Sequence, residues 1–244
     1  MSIRSTLLRN IASERVYCAH FGEEFGTFFT MEVDGKQYLI TAKHLAEKLN
    51  FGTVGVAEMT FLPVLYNKKP APLFVSLVGH GKKDVDISVL APTNVFGNTI
   101  PPIKPISPNI EYGEDVFFFG FPDPNEADPK VVMDTSFPTP FVKKGVISYI
   151  SNKGRILIDG QNNPGFSGGP VVMRDFEGPN KPADGYYHVI GVVSGYKGTP
   201  IAVLDNKGKQ VYTADENSGI MVVHDISSAV HMIKSNPIGF RLLY

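Results

Sequence analysis

Ser167 lies in Gly165-Phe-Ser-Gly-Gly-Pro170, a hydroxyl set among small residues. A serine oxygen attacks a carbonyl only where a base takes its proton and where backbone N–H groups receive the negative charge that develops, and glycines let the chain come that close. The same stretch fits the G-x-S-x-G pattern of α/β-hydrolases, in which a strand leads into the serine, a helix leads out, and the acid and then the histidine follow. Here Pro170-Val-Val-Met173 reads as an outgoing strand, and the alternating helices of that architecture are missing. The opposite order, base then acid then nucleophile, fits better. His44 ends the strand-like Thr41-Ala-Lys-His44, and Asp86 stands at the mouth of a strand in Asp84-Val-Asp-Ile-Ser-Val-Leu90. The spacing from Asp86 on to Ser167 is about twice that from His44 to Asp86. One β half can therefore hold base and acid and a second the nucleophile, with the site in the cleft between them.

The elements that must position these groups read as strands. The chain has 24 Gly and 19 Pro, which punctuate short runs rich in Val, Ile, Phe and Tyr. Residues 26–33 and 36–42 flank Asp34-Gly35, a strong two-residue hairpin signal that brings a strand to His44. Further strands are expected at Val16–His20, Gly52–Met59, Pro72–Val78, Ile87–Leu90, Val116–Gly120, Phe141–Ile150, Arg155–Asp159, Pro170–Met173, His188–Ser194 and Gly219–Val223. Strands at this spacing indicate a barrel or sandwich. Helical signals are few: a short helix from His44 through Leu49, and a C-terminal helix capped by Asp225 that runs to Lys234 before Pro237. Five prolines between Ala91 and Asp115 mark a connector, and the first dozen residues suit either a docking helix or a frayed end.

Composition narrows the partners. Hydrophobic residues make up 43% and charged residues 19%, an ordinary globular balance. With 23 Lys and Arg against 24 Asp and Glu, the net charge of −1 offers no broad attraction for nucleic acid or anionic membrane. No apolar run approaches the roughly 18–20 residues of a membrane span. The first ten residues lack the apolar core and cleavage site of a secretory signal, so a cytoplasmic location is expected. Cys18, the only cysteine, reads as a small core residue that cannot form an intrachain disulfide. His20, His80, His188, His224 and His231 lack metal-ligand spacing, and the acidic run Asp123–Asp128 lacks that of a calcium loop. No metal or cofactor is expected.

Thr41-Ala-Lys-His-Leu45, Asp86-Ile-Ser-Val-Leu90 and Asn163-Pro-Gly-Phe-Ser-Gly-Gly-Pro170 together resemble the signature segments of trypsin-like serine peptidases. The likeness is to the disulfide-free bacterial members that include the high-temperature-requirement proteases, and it extends over about residues 14–235. It implies an all-β fold of two six-stranded antiparallel barrels with a C-terminal helix. Within a single peptidase domain, the first barrel would span about 14–90, the connector 91–114, the second barrel 115–223 and the helix 225–235. It implies a serine endopeptidase acting on protein or peptide substrates, with Ser167 as nucleophile, His44 as base and Asp86 as its orienting carboxylate. On this likeness Asp86 is preferred over Asp84, which would share its face of a strand. The Gly165 and Ser167 amides would form the oxyanion hole. Ser194 would support the carboxylate, and Gln161, Asn162, Gly195, Tyr196 and Gly219 would join it in lining the substrate pocket. Phe166 stands where secreted members carry the aspartate used in zymogen activation, so that activation is not expected. Gln161 replaces the acid of a tryptic pocket, and Gly195-Tyr196 inverts a frequent aromatic-glycine order. A catalytically idle, or partner-activated, binding module on the same fold is the alternative.

Overall fold

The structure is a computed structural model that describes residues 11, 14–61, 71–97, 105, 110–122, 139–175 and 186–242. Residues 1–10, on which the docking-helix or frayed-end reading bears, the loop at 123–128, and residues 98–104 and 106–109 of the proline-rich connector lie outside these residues.

Six strands form the N-terminal half: β1 (Val16–Phe21), β2 (Glu24–Val33), β3 (Lys36–Thr41), β4 (Val56–Phe61), β5 (Ala71–His80) and β6 (Ser88–Pro92). They pair in the order β3-β2-β1-β4-β5-β6, and β6 pairs back onto β3 to close the ring. The Asp34-Gly35 hairpin forms as expected, with φ of 50° and 71° at its two turn residues and Val33 opposite Lys36. Positive φ at both positions is what a tight turn matched to strand twist requires. A short helix, α1 (Lys43–Ala46), follows β3 directly.

The second half is a closed barrel in the order β10-β11-β12-β9-β8-β7. Its strands are β7 (Asp115–Gly120), β8 (Phe141–Ile150), β9 (Arg155–Asp159), β10 (Pro170–Asp175), β11 (Tyr186–Leu204) and β12 (Gln210–Asp225). Helix α2 (Ser227–Ser235) closes the chain's course over the first barrel, and β13 (Phe240–Arg241) pairs with β3. The N-cap is Ile226, which offers no side-chain cap; Asp225, the expected cap, lies one residue earlier and accepts the Ser227 amide through Oδ1 at 2.7 Å.

Each barrel has its own apolar interior. Tyr17, Phe28, Leu39 and Val75 fill the first, and Phe118, Ile158, Val171 and Val223 fill the second. A third cluster spans both, joining Phe29, Ile40 and Val89 to Phe119, Val172, Val192 and, from α2, Ile233. Burying such side chains stabilises by about 1.5–3 kcal/mol each. The seam between the barrels is therefore packed as a core.

Three boundaries differ from the sequence reading. The strand expected from Gly52 begins only at Val56, because residues 52–55 turn, with Gly55 at φ 69° donating to the Gly52 carbonyl. The helix after β3 is regular only to Ala46 and ends in a turn at Leu49. Strands β11 and β12 run well beyond their expected ends, as a long hairpin paired from Gly198–Asn217 to Leu204–Gln210. Both faces of that extension are largely exposed, so no alternation of buried and exposed residues marks it in the sequence.

Candidate active site

His44 sits on α1, where β3 leaves the barrel wall, and Asp86 lies two residues before β6. The β3–β6 pairing that closes the first barrel, Thr41 opposite Ser88, places these two ends side by side. Asp86 holds the histidine at two points: Oδ2 lies 2.8 Å from His44 Nδ1, and Oδ1 accepts the His44 backbone amide at 2.9 Å. Ser194 Oγ donates to the same Oδ2 at 2.6 Å. The competing carboxylate, Asp84, is exposed on a turn and takes no part.

These contacts set the charges. Burial pushes the Asp86 carboxyl up, but the hydrogen bonds from the His44 ring, Ser194 and the His44 amide outweigh it and bring its pKa down to about 2. The hydrogen bond to Asp86 raises His44 above the ordinary imidazole value; burial opposes it, and the charges of Asp86 and Glu24 add to it. The imidazole remains 43% exposed, so a substrate can reach it.

Ser167 stands on the loop before β10. Its hydroxyl donates to the Ser194 carbonyl at 3.0 Å, and among the described residues it makes no hydrogen bond with His44. The loop is held tightly. Gly165 has φ 92°, and a Cβ there would come within 2.0 Å of the Phe121 carbonyl oxygen. Gly168 has φ 85°, and its Cβ would meet the Thr27 carbonyl oxygen at 2.0 Å and Thr41 Oγ1 at 2.4 Å. Only glycine fits such approaches at positive φ. Gly168 N donates to Val193 O and Gly169 N to Phe166 O, whereas the Gly165 and Ser167 amides donate to no acceptor among the described residues.

Ser194 is the extra residue of a β-bulge. Val193 lies opposite Val223 and Gly195 opposite Val222, which leaves Ser194 unpaired between them. Bulges re-aim the groups they carry. Here the bulged residue turns its hydroxyl to Asp86 and its carbonyl to Ser167.

Residues 26–177 match the family model of the trypsin-like peptidase domain. The chain belongs to that family. The chain matches no curated protein sequence. Among solved structures, the HtrA-type protease AlgW with a tripeptide is 20% identical over 96% of this chain and 63% of its own, with a TM-score of 0.54. The serine endoprotease from Yersinia pestis is 17% identical over 96% and 66%, with a TM-score of 0.55. Deg5 is 18% identical over 94% and 91%, with a TM-score of 0.56. This chain thus spans just under two thirds of the length of the two AlgW and Yersinia proteins, and at such identities the likeness is one of fold.

The peptidase fold brings His44, Asp86 and Ser194 into direct contact and sets Ser167 on the Ser194 carbonyl. The expected pocket residues divide. Ser194, Gly195 and Tyr196 line a cavity of about 1030 Å³ beside Asp86, whereas Gln161, Asn162 and Gly219 are not part of its wall. Gln161 is exposed, while Asn162 is buried with its carbonyl accepting Asn217 Nδ2; Asn217 Oδ1 in turn accepts the Gly219 amide at 3.0 Å. Phe166 is fully buried and meets Phe118 edge-on at 5.5 Å. His80 Nδ1 lies 2.6 Å from Ser88 Oγ, His188 and His224 are buried, and the described residues hold no cluster of metal-ligating side chains.

Three residues that support the peptidase site carry no sequence signal of that role. Thr27 on β2 donates from Oγ1 to the Gly165 carbonyl (2.6 Å) and from its amide to the Ser167 carbonyl (2.9 Å). Lys143 Nζ donates to the Gln161 carbonyl (2.9 Å) and to Asn163 Oδ1, with the Phe166 ring centroid 4.9 Å away. Asn217 ties Asn162 to Gly219. The Thr27 and Lys143 side chains reach across more than a dozen residues of sequence, and nothing local announces such links.

Proposed function

We propose that this trypsin-like peptidase domain is a serine endopeptidase that cleaves protein or peptide substrates through an acyl-enzyme on Ser167. The observation that carries the reading is the two-point grip of Asp86 on His44, which fixes the ring with Nδ1 toward the carboxylate and leaves Nε2 for the proton of the nucleophile. Ser167 Oγ attacks the scissile carbonyl as His44 takes its proton. The tetrahedral oxyanion is received by the Gly165 and Ser167 amides, whose hydrogen-bonding capacity is unspent within the described residues. His44 then returns the proton to the leaving amine, and water, deprotonated by the same ring, releases the acid product. Asp86, held near pKa 2, stays ionised throughout and stabilises the imidazolium.

The Ser167 hydroxyl must leave the Ser194 carbonyl for this to happen, by rotation about its Cα–Cβ bond. That hydrogen bond favours a second reading, in which the domain is idle until substrate or a protein partner draws the hydroxyl toward His44. The buried thiol of Cys18, the only cysteine, is consistent with work in the cytosol, which fractionation of the producing cells tests.

Labelling with a fluorophosphonate tests the main reading. Stoichiometric modification of the wild type at Ser167, absent in Ser167→Ala, together with a loss of peptide turnover of about three orders of magnitude or more in that variant, is the expected result. A Ser167→Ala protein that cleaves as fast as wild type would sink the assignment. Labelling that appears only after a cellular partner is added selects the second reading.

A further inference from the structure

The cavity beside Asp86 has a charge character that catalysis does not require. Its volume, about 1030 Å³, is at the upper end of the roughly 300–1,000 Å³ of ligand-binding clefts. Lys82, Lys83, Lys153, Arg155 and Lys197 line it, from the β5–β6 connection, the β8–β9 hairpin and β11. All five are exposed, and none forms an ion pair among the described residues. Against them stand Asp84, also exposed, and the ionised Asp86, hydrogen-bonded to His44 and Ser194, so cations outnumber anions in the lining five to two. The whole chain carries a net charge of −1, so this concentration of cations is local. A concave wall of net positive charge focuses its field on what enters.

The same cavity contains an open strand edge. Strand β10 pairs with β11 only as far as Pro170 opposite Val192, and the nucleophile loop covers Val193. Beyond that point β11 continues through Ser194–Lys197, paired to β12 on one side alone. An extended peptide can add to such an edge through main-chain hydrogen bonds. Ser194, which touches both Asp86 and Ser167, lies at the start of the edge, so a peptide laid there runs from the site into the cationic cavity.

We propose that the cavity is a specificity subsite for acidic peptide segments, so that preferred substrates carry Asp or Glu within a few residues of the bond cleaved. This rests on the peptidase reading for the cleavage, while the binding stands apart from it. Each exposed pair contributes little alone, but several together in one cleft discriminate an acidic segment from its amide counterpart.

The test uses two fluorescein-labelled hexapeptides, Glu-Glu-Glu-Glu-Val-Ala and Gln-Gln-Gln-Gln-Val-Ala, and the Ser167→Ala protein, which binds without turnover. Anisotropy at ~0.1 M salt should show the glutamate peptide binding about tenfold more tightly, with the preference falling as salt shortens the Debye length. A Lys82→Gln/Lys153→Gln/Arg155→Gln variant, confirmed folded by its thermal melt, should lose most of that preference. In parallel, wild type digests a peptide library, and Asp and Glu should be enriched near the cut sites. Equal binding of the two peptides, or Ser167-dependent cuts with no acidic enrichment, overturns the inference and leaves the peptidase intact. A binding preference without any cleavage upholds the acidic subsite and selects the idle or partner-activated reading over the constitutive peptidase. A single-stranded oligonucleotide of equal charge that binds more tightly than the glutamate peptide overturns the inference in favour of nucleic acid.

Discussion

Thr27 Oγ1 donates to the Gly165 carbonyl at 2.6 Å, reaching from a strand of the first barrel to the nucleophile loop of the second. The Thr27 amide holds the Ser167 carbonyl, and its own carbonyl accepts Thr41 Oγ1 at 2.8 Å, at the end of the strand that leads into the helix carrying His44. One buried residue thus ties the strand leading to His44 to the loop that carries Ser167.

Thr27→Val keeps the shape and the backbone bonds but removes the hydroxyl. Stability should fall by about 1 kcal/mol, since the Gly165 carbonyl keeps its bond from the Phe121 amide. The larger effect should be on kcat, lowered about tenfold with KM little changed, because in the proposed mechanism the Gly165 amide receives the oxyanion. Thr27→Ser should restore most of the rate. Steady-state kinetics of the two variants decide it, and a Thr27→Val enzyme as fast as wild type removes the link from the mechanism.

Gly168→Ala should unfold or severely destabilise the second barrel's entrance. The added methyl meets the Thr27 carbonyl oxygen at 2.0 Å and Thr41 Oγ1 at 2.4 Å in a backbone with φ 85°, and both residues are buried on the first barrel. A loss of roughly 3 kcal/mol or more in urea unfolding is expected. Gly35→Ala, with nothing within 4 Å of its added methyl, should cost far less, only the strain of φ 71°.

The pH profile follows from Asp86 and His44. His44 is raised above the usual value of about 6.5, so kcat/KM should climb with pH through a midpoint above that value as the ring loses its proton. Asp86→Asn removes the hydrogen bond that raises it, leaving burial to act in the other direction. The midpoint should move down while kcat drops by about 10⁴. An unshifted midpoint in Asp86→Asn means that another group titrates.

Stability carries the opposite sign at the acid end. Because Asp86 is held at about 2, below its unfolded value of about 3.9, its contribution is present above pH ~4 and is lost as pH falls toward 2. Urea unfolding between pH 5 and 2 should show wild type and Asp86→Asn converging as the acid range is entered.

Lys143→Met should lower kcat about tenfold and leave the fold intact. The substitution keeps an unbranched chain over the Phe166 ring but releases the Gln161 carbonyl and Asn163, which precede the oxyanion loop. Comparing turnover with the thermal melt separates the local effect from a global one.

The parts of this molecule that are legible in its sequence are those with local causes. Asp34-Gly35 demands its turn, β8 and β9 run between the bounds read from the sequence, and Ser-Gly-Gly-Pro requires glycine for close backbone approach. What stays hidden depends on distance or exposure. Thr27 looks like any strand threonine until the fold sets Gly165 beside it. The outer β11–β12 hairpin alternates nothing because neither face is buried. Gln161 and Asn162 are neighbours in sequence, yet one faces solvent and the other the interior.

The unpaired Ser194 couples two things that are usually separable, the regularity of a sheet and the arming of a site. Deleting one residue from β11, or engineering its ladder into perfect pairing, would make a better sheet, and would swing one hydroxyl off Asp86 and one carbonyl off Ser167. In this architecture the regular version of the strand is a disarmed one.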